Sequence, residues 1–212
     1  LPMCNNGKEA IGSMGTDTPL AVLSKKPQLI YNYFKQLFAQ VTNPPLDGIR
    51  EEIITDTSLS LGSDYNIFNL IPDHAKKLKI NNPIISNDDL EKIKFIDHED
   101  FKACSINANY EISKGHNGLE KALDMIVDKV EKKVDNNHNI IILSDRKTSK
   151  KHAPIPILLV CSYVHHSLIK RKKRSKFGIV IESAEPREPH HFSMLFGYGC
   201  LLYTSPSPRD GW

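Results

Sequence analysis

The sequence has little of what would set it apart from an ordinary globular chain. Its 212 residues hold no apolar run near the roughly 20 residues of a membrane span. The opening stretch LPMCNNGKEA has neither the basic start nor the apolar middle of a secretory signal. A cytosolic or organelle-matrix location is therefore expected. Cysteine is scarce: Cys4, Cys104, Cys161 and Cys200 stand far apart with no C-x-x-C pair. That spacing supports no disulfide framework, so Cys161 reads as a core residue and the others as unpaired thiols. Charge of one sign is lacking too. Lys and Arg number 28 against 25 Asp and Glu, a net charge of +3, and the signs mix along most of the chain. Nothing there calls for a nucleic acid or a membrane as partner.

The chain has 40% apolar and 25% charged residues. A single domain of this length buries roughly 70% of its unfolded surface. Pro27 suits a helix start, and Leu29, Tyr33, Leu37 with Ile30, Phe34, Phe38 recur every four residues, predicting a helix over Gln28 to Gln40. From Asp56 to Asn117, Gly62, Pro72, Asn81-Asn82-Pro83 and Asn87 to Asp89 cut the sequence into short pieces. The second half is more regular. Leu119, Leu123, Ile126, Val127, Val130 and Val134 lie at helix spacing, followed by Asn136-Asn137. Then come a buried strand at Ile140 to Leu143, a helix at Pro154 to Lys170, a second strand at Phe177 to Ile181 and a helix at Pro189 to Tyr198. This alternation predicts an α/β fold, a parallel sheet with right-handed crossover helices. The strands end in Ser144-Asp145-Arg146 and Glu182-Ser183, at the carboxyl edge where such folds place their sites.

Two blocks near the start lack helix periodicity. In IGSMGTDTPLAVLS, residues 11–24, Gly12 and Gly15 flank Met14, and Thr16, Asp17 and Thr18 precede Pro19. In FAQVTNPPLDGIRE, residues 38–51, Thr42 and Asn43 precede Pro44-Pro45, which lack backbone donors and hold the preceding residue extended. Loops with such shaped backbone usually serve a site.

These blocks, together with IIILSDR (140–146), APIPILLV (153–160), VHH (164–166) and GIVIESAEPREPHHFSMLFGYG (178–199), resemble in order and spacing the central domain of glutamate synthase. The resemblance implies a degenerate or partial (β/α) barrel. It implies a parent enzyme that moves the amide nitrogen of glutamine onto 2-oxoglutarate, using a glutaminase domain with an N-terminal Cys nucleophile and an FMN-binding barrel with a 3Fe-4S cluster. An internal ammonia tunnel joins these domains, which are the partners implied for this one. Electrons come from ferredoxin or a small NAD(P)H-oxidising subunit, in the cytoplasm or, in a photosynthetic eukaryote, the plastid stroma. For this segment it implies no catalytic, cofactor-binding or metal-binding residue and no activity alone.

Neutral ammonia must be shielded from bulk water by backbone carbonyls, small hydroxyls and apolar groups. By resemblance, Met14, Gly15, Thr42 and Asn43 are candidates for the tunnel wall. Asp17, Arg50 and Glu51 are assigned to loop-fixing ion pairs or hydrogen bonds, and Arg146 with Glu182 to an inter-domain role at the sheet edge. Residues 1–199 are expected to form a central domain truncated at both ends. CLLYTSPSPRDGW, residues 200–212, departs from the pattern and reads as translated adapter or vector sequence.

Three further features have plain readings. His165-His166 and His190-His191 suggest a metal site, but adjacent helical histidines point about 100° apart, and packing roles account for them. The run KRKKR, residues 170–174, lies where a solvated turn is expected and has no interleaved aromatic. The rival function is a stand-alone α/β module binding an anionic small molecule through Arg146, although no glycine-rich nest accompanies it.

Overall fold

A computed structural model describes residues 7, 20–34, 45–66 and 68–204. After a short 3-10 turn at Ile30–Tyr33, helix α1 (Gly48–Ile54) starts at Asp47, whose carboxylate accepts from the amides of Ile49 and Arg50. Strands β1 (Leu59–Leu61) and β2 (Leu78–Ile80) pair antiparallel. Strand β3 (Ile84–Ile85) leads into α2 (Asn87–Lys94), where Ser86 caps the Asp89 amide and also bonds the Asp89 carboxylate at 2.8 Å. That reciprocal contact fixes the helix start.

Next come β4 (Ala103–Asn107) and β5 (Asn109–Glu111), then α3 (Gly115–Asp135). The apolar stripe of α3, from Ala122 to Val134, is buried, and the chain leaves it through Asn137 at φ 63°. Strand β6 (Ile140–Ser144) and strand β8 (Gly178–Glu182) flank β7 (His152–Pro154) and α4 (Ile157–Lys170). Helix α5 (Pro189–Gly197) begins at Pro189 and is followed by β9 (Leu202–Thr204).

The main sheet runs β3-β9-β8-β6-β4, every neighbouring pair parallel. Period-two alternation divides the residues of its central strands between two cores. Ile141, Leu143, Ile179 and Ile181 pack on one face with residues of α3, α4 and α5. Ile140, Ile142 and Val180 pack on the other with Leu61, Leu90, Ile93 and Leu202. The crossovers from β4 through β6 and β8 to β9 thus lie on one face, while α2 and the β1–β2 ribbon cover the opposite one. The α/β parallel sheet agrees with expectation. The winding is barrel-like but the sheet is open, with β3 and β4 at its edges, and no closed barrel forms among the described residues.

Several boundaries differ from the sequence pattern. The helix expected over Gln28 to Gln40 is only a turn in its described part, and Phe34 is extended at φ −98°, ψ 116°. Burial of Tyr31, stacked on His191 at 4.3 Å, overrides the four-residue repeat. Helix α4 starts at Ile157 and not at Pro154, because Pro154 belongs to β7 and Pro156 takes the N-cap. Cys200, expected outside the domain, is buried, and Leu202–Thr204 enters the sheet between β8 and β3. Ladder bonds use the backbone alone, so an apolar extended segment beside β8 suffices.

In the KRKKR run Lys170, Arg171 and Lys172 are exposed, as expected of a solvated turn, while Lys173 and Arg174 are half-buried. Arg171 pairs with Asp128 at 2.9 Å and with Glu131, while Lys173 pairs with Glu131 and Asp135 at 2.8 Å, tying the end of α4 to α3. Arg174 joins three segments: its guanidinium donates to His165 Nδ1 at 2.9 Å, to the Phe177 carbonyl at 2.6 Å and to the Gly199 carbonyl at 2.8 Å. The four paired histidines likewise pack. His190 Nε2 meets the Tyr31 carbonyl at 3.2 Å, His191 Nδ1 accepts from the Arg187 amide at 3.1 Å, and His166 lies edge-on to Tyr198.

Gly199 sits at φ 101°, and a Cβ there would lie 2.2 Å from His165 Nδ1. Gly199→Ala is expected to cost about 2 kcal/mol or more, lowering Tm by roughly 5 °C. Gly197→Ala, at a helical position with nothing within 4 Å, should not lower it. Thermal unfolding of the two variants checks the contrast.

Candidate functional site

Parallel strands that bury every residue must put their polar groups at the ends. Here β6 and β8 deliver Ser144, Asp145, Arg146, Glu182, Ser183 and, one turn on, Glu185 to the carboxyl edge of the sheet. Arg146 Nε lies 2.9 Å from Glu182 Oε1, and Lys94, from the last turn of α2, reaches the same oxygen at 3.1 Å. Glu182 is 2% exposed and Arg146 50%, so a buried carboxylate anchors one interior and one half-open cation. Burial opposes the charge on Lys94, but its bonds to Glu91 and Glu182 outweigh this and raise its pKa.

A second cluster adjoins the first. Ser183 donates to the Asp145 carboxylate and accepts from the Glu185 amide at 3.1 Å. Glu185 in turn accepts from the Ile157 amide at 2.7 Å, supplying α4 with the side-chain cap that Pro156 cannot provide. Burial raises the pKa of Asp145, with the Ser183 bond opposing it, and burial raises that of Glu185 against the Ile157 bond. On the β4 side, Asn109 Nδ2 donates to Thr148 Oγ1 at 3.3 Å, while its Oδ1 is buried without a partner among the described residues.

The sequence candidates divide unevenly. Arg146 and Glu182 do meet. Arg50 pairs with Asp47 at 3.4 Å on the surface of α1, and Glu51 occupies the same exposed helix. Met14, Gly15, Asp17, Thr42 and Asn43 lie outside the described residues. Lys94, Asn109 and Glu185 escaped sequence reading. Glu185 follows the second strand end closely enough to have been found there, whereas Lys94 arrives from an element with no local signal.

The described residues gather no three His, Cys, Asp or Glu side chains able to hold a metal ion. Burial pushes the Cys161 thiol up to about 12 and Cys200 higher than its ordinary value, so neither offers a ready thiolate. Two clefts lie elsewhere. One of about 560 Å³ runs between β2, β3 and α2, and one of about 720 Å³ opens at the amino edge beside Asp64, Asp100 and Lys102. Among the described residues no helix is long and apolar enough to cross a membrane.

Comparison with known proteins decides the kinship: residues 1–203 match the family described as Glutamate synthase central domain. The chain belongs to that family. It is 41% identical over 199 residues to the glutamate synthase [NADPH] large chain of Bacillus subtilis (strain 168), covering 94% of this chain and 13% of that one. It is 38% identical over 200 residues to the glutamate synthase [NADH] of Schizosaccharomyces pombe, covering 93% and 10%. To ferredoxin-dependent glutamate synthase 2 of Synechocystis it is 36% identical over 220 residues, covering 100% and 14%. The central domain seen here thus spans about a tenth to a seventh of these relatives.

Two outcomes test the site. Glu182→Gln removes one of the two carboxylate partners of a mostly buried lysine, which keeps Glu91 at 2.8 Å, and should cost about 1–3 kcal/mol, below the full buried-pair penalty. Arg146→Gln should cost no more than about 1 kcal/mol. Denaturant unfolding of both variants measures the difference. Acid is the second probe. Burial lowers the pKa of His165 and His191, and each accepts a hydrogen bond at Nδ1, so the folded state binds fewer protons than the unfolded one. Stability should fall as pH drops through and below about 6.5. Asp145 and Glu185, with raised values, act in the opposite sense, gaining stability as pH falls through theirs. Comparing Tm at pH 7.5 and 5.5 should show a decrease that His165→Gln with His191→Gln flattens.

Proposed function

We propose that this chain is the connecting domain of a glutamate synthase polypeptide, holding the glutaminase and FMN-binding domains in register and contributing to the ammonia passage between them. The family match across residues 1–203 carries this reading. The folded part supports it through the ion pairs and hydrogen bonds that fasten its carboxyl edge. The carboxyl edge is closed by internal ion pairs, and the two buried cysteines are unsuited to nucleophilic chemistry. By the family resemblance, catalysis is assigned to the rest of the polypeptide.

Met14, Gly15, Thr42 and Asn43 are proposed to line the passage. A wall of small hydroxyls, amide and backbone carbonyls suits neutral ammonia, since it offers hydrogen bonds without an ionised carboxylate that would stabilise and hold ammonium. Arg146 and Glu182 are proposed to brace the adjoining domain surface. The described residues do not fit an iron-sulfur cluster, and FMN and the 3Fe-4S cluster are placed in other domains. When bound there, they supply the electrons that reduce the nitrogen adduct of 2-oxoglutarate. The donor is ferredoxin or an NAD(P)H-oxidising subunit, in the cytoplasm or plastid stroma. The anion-binding alternative is disfavoured because Glu182 puts a buried carboxylate against Arg146, where an anionic ligand would have to approach.

The test uses a full-length glutamate synthase carrying this segment. Thr42→Val or Asn43→Ala should leave glutamine hydrolysis running while glutamate formation from 2-oxoglutarate falls, raising the ratio of the two by on the order of tenfold. Unchanged coupling in both variants would remove the passage assignment.

A further inference from the structure

We propose that the apolar ridge of α1, formed by Ile49 and Ile53, is a docking surface for another domain of the same polypeptide. The proposal rests on the connecting-domain reading and adds the surface through which the connection is made.

All seven residues of α1 are exposed, and among them Ile49 is 85%, Ile53 77% and Ile54 56% exposed. Isoleucines four apart stand one above the other on a helix, so Ile49 and Ile53 make one continuous ridge. Isolated helices shorter than about 12–15 residues are marginal in water. This one is seven residues long, and among the described residues its side-chain fastenings are the Asp47 cap, the Arg50–Asp47 pair and the Thr55 hydroxyl on the Glu51 carbonyl. A helix so short, presenting β-branched apolar side chains to solvent, calls for an external surface against its ridge.

Two observations identify that surface as part of the same polypeptide. The segment matches only 13% of the length of its Bacillus subtilis relative and 14% of the Synechocystis one, so most of a parent of that size lies elsewhere. The charges flanking the ridge set its chemistry. Asp47 answers Arg50, whereas Glu51 and Glu52 form no ion pair among the described residues. The occupant is therefore an apolar groove with a lysine or arginine placed beside Glu52. In sequence, α1 begins five residues after Asn43.

Hydrogen exchange read by mass spectrometry tests this in a full-length glutamate synthase carrying the segment and in the 212-residue chain. Amides of residues 48–54 should exchange at least about tenfold more slowly in the full-length protein. Ile49→Asp with Ile53→Asp should restore the faster rate there while leaving the melting of the shorter chain unchanged. Equal rates in the two wild-type proteins would overturn the proposal, and this comparison needs no variant to fold. Protection already present in the shorter chain would assign the ridge to its own segments if the chain sediments as a monomer. It would assign the ridge to a second copy if the chain sediments as a dimer that the double variant dissociates. Either result overturns the proposal. Fast exchange at α1 together with uncoupling by Thr42→Val would sink the docking surface alone and leave the passage reading in place.

Discussion

Parallel pairing of two strands that expose nothing is the constraint from which the rest follows. Ile140 to Ser144 and Gly178 to Glu182 are buried throughout and lie in register, Ile140 opposite Gly178 and Ser144 opposite Glu182. Because both faces are apolar, both must be covered, and the chain covers one with its crossover helices and the other with α2 and the β1–β2 ribbon. The same constraint expels polarity to the strand ends. Glu182 is where a side chain of these strands meets charged partners, Lys94 and Arg146, while Ser144 Oγ accepts from the Arg146 amide. A site at the carboxyl edge is thus a consequence of the core, not an addition to it.

Charge in this molecule is used to fasten. Arg171 and Lys173 tie α4 to α3, Arg174 gathers α4, β8 and the α5–β9 link, and Glu185 closes the open end of α4 from 28 residues away. These contacts connect segments distant in sequence; those of Arg174 and Glu185 are part-buried, where a hydrogen-bonded ion is worth more than on the open surface that Arg171 and Lys173 occupy. A scaffold fastened this way can hold neighbouring domains at fixed separation, which is what a connecting role demands.

Legibility in the sequence followed burial. β6, β8 and α3 were readable because continuous apolar runs and a sustained 3.6-residue period leave few alternatives. β1, β2 and β3 were not, since strands of two or three residues with polar alternation look like the turns between them. The repeat around Tyr33 misled because Tyr31 packs on His191, 160 residues away, and no local pattern reveals such a contact. Arg174 was hidden in a run of like charges that reads as solvated. In the site, Arg146 and Glu182 were visible as strand-end residues. Lys94 and Asn109 were not, because their roles depend on register between elements far apart in the chain. The loop candidates at Met14 and Thr42 came from resemblance and backbone chemistry together.

The central claim is that this chain serves a glutamate synthase by position alone. Replacing the matched segment of the Bacillus subtilis large chain with residues 1–199 of this sequence tests it most directly, by measuring glutamine consumed against glutamate formed from 2-oxoglutarate. The account predicts that the chimera forms glutamate from both substrates at the coupling ratio of its parent. A chimera that folds and hydrolyses glutamine but forms no glutamate from 2-oxoglutarate would contradict it.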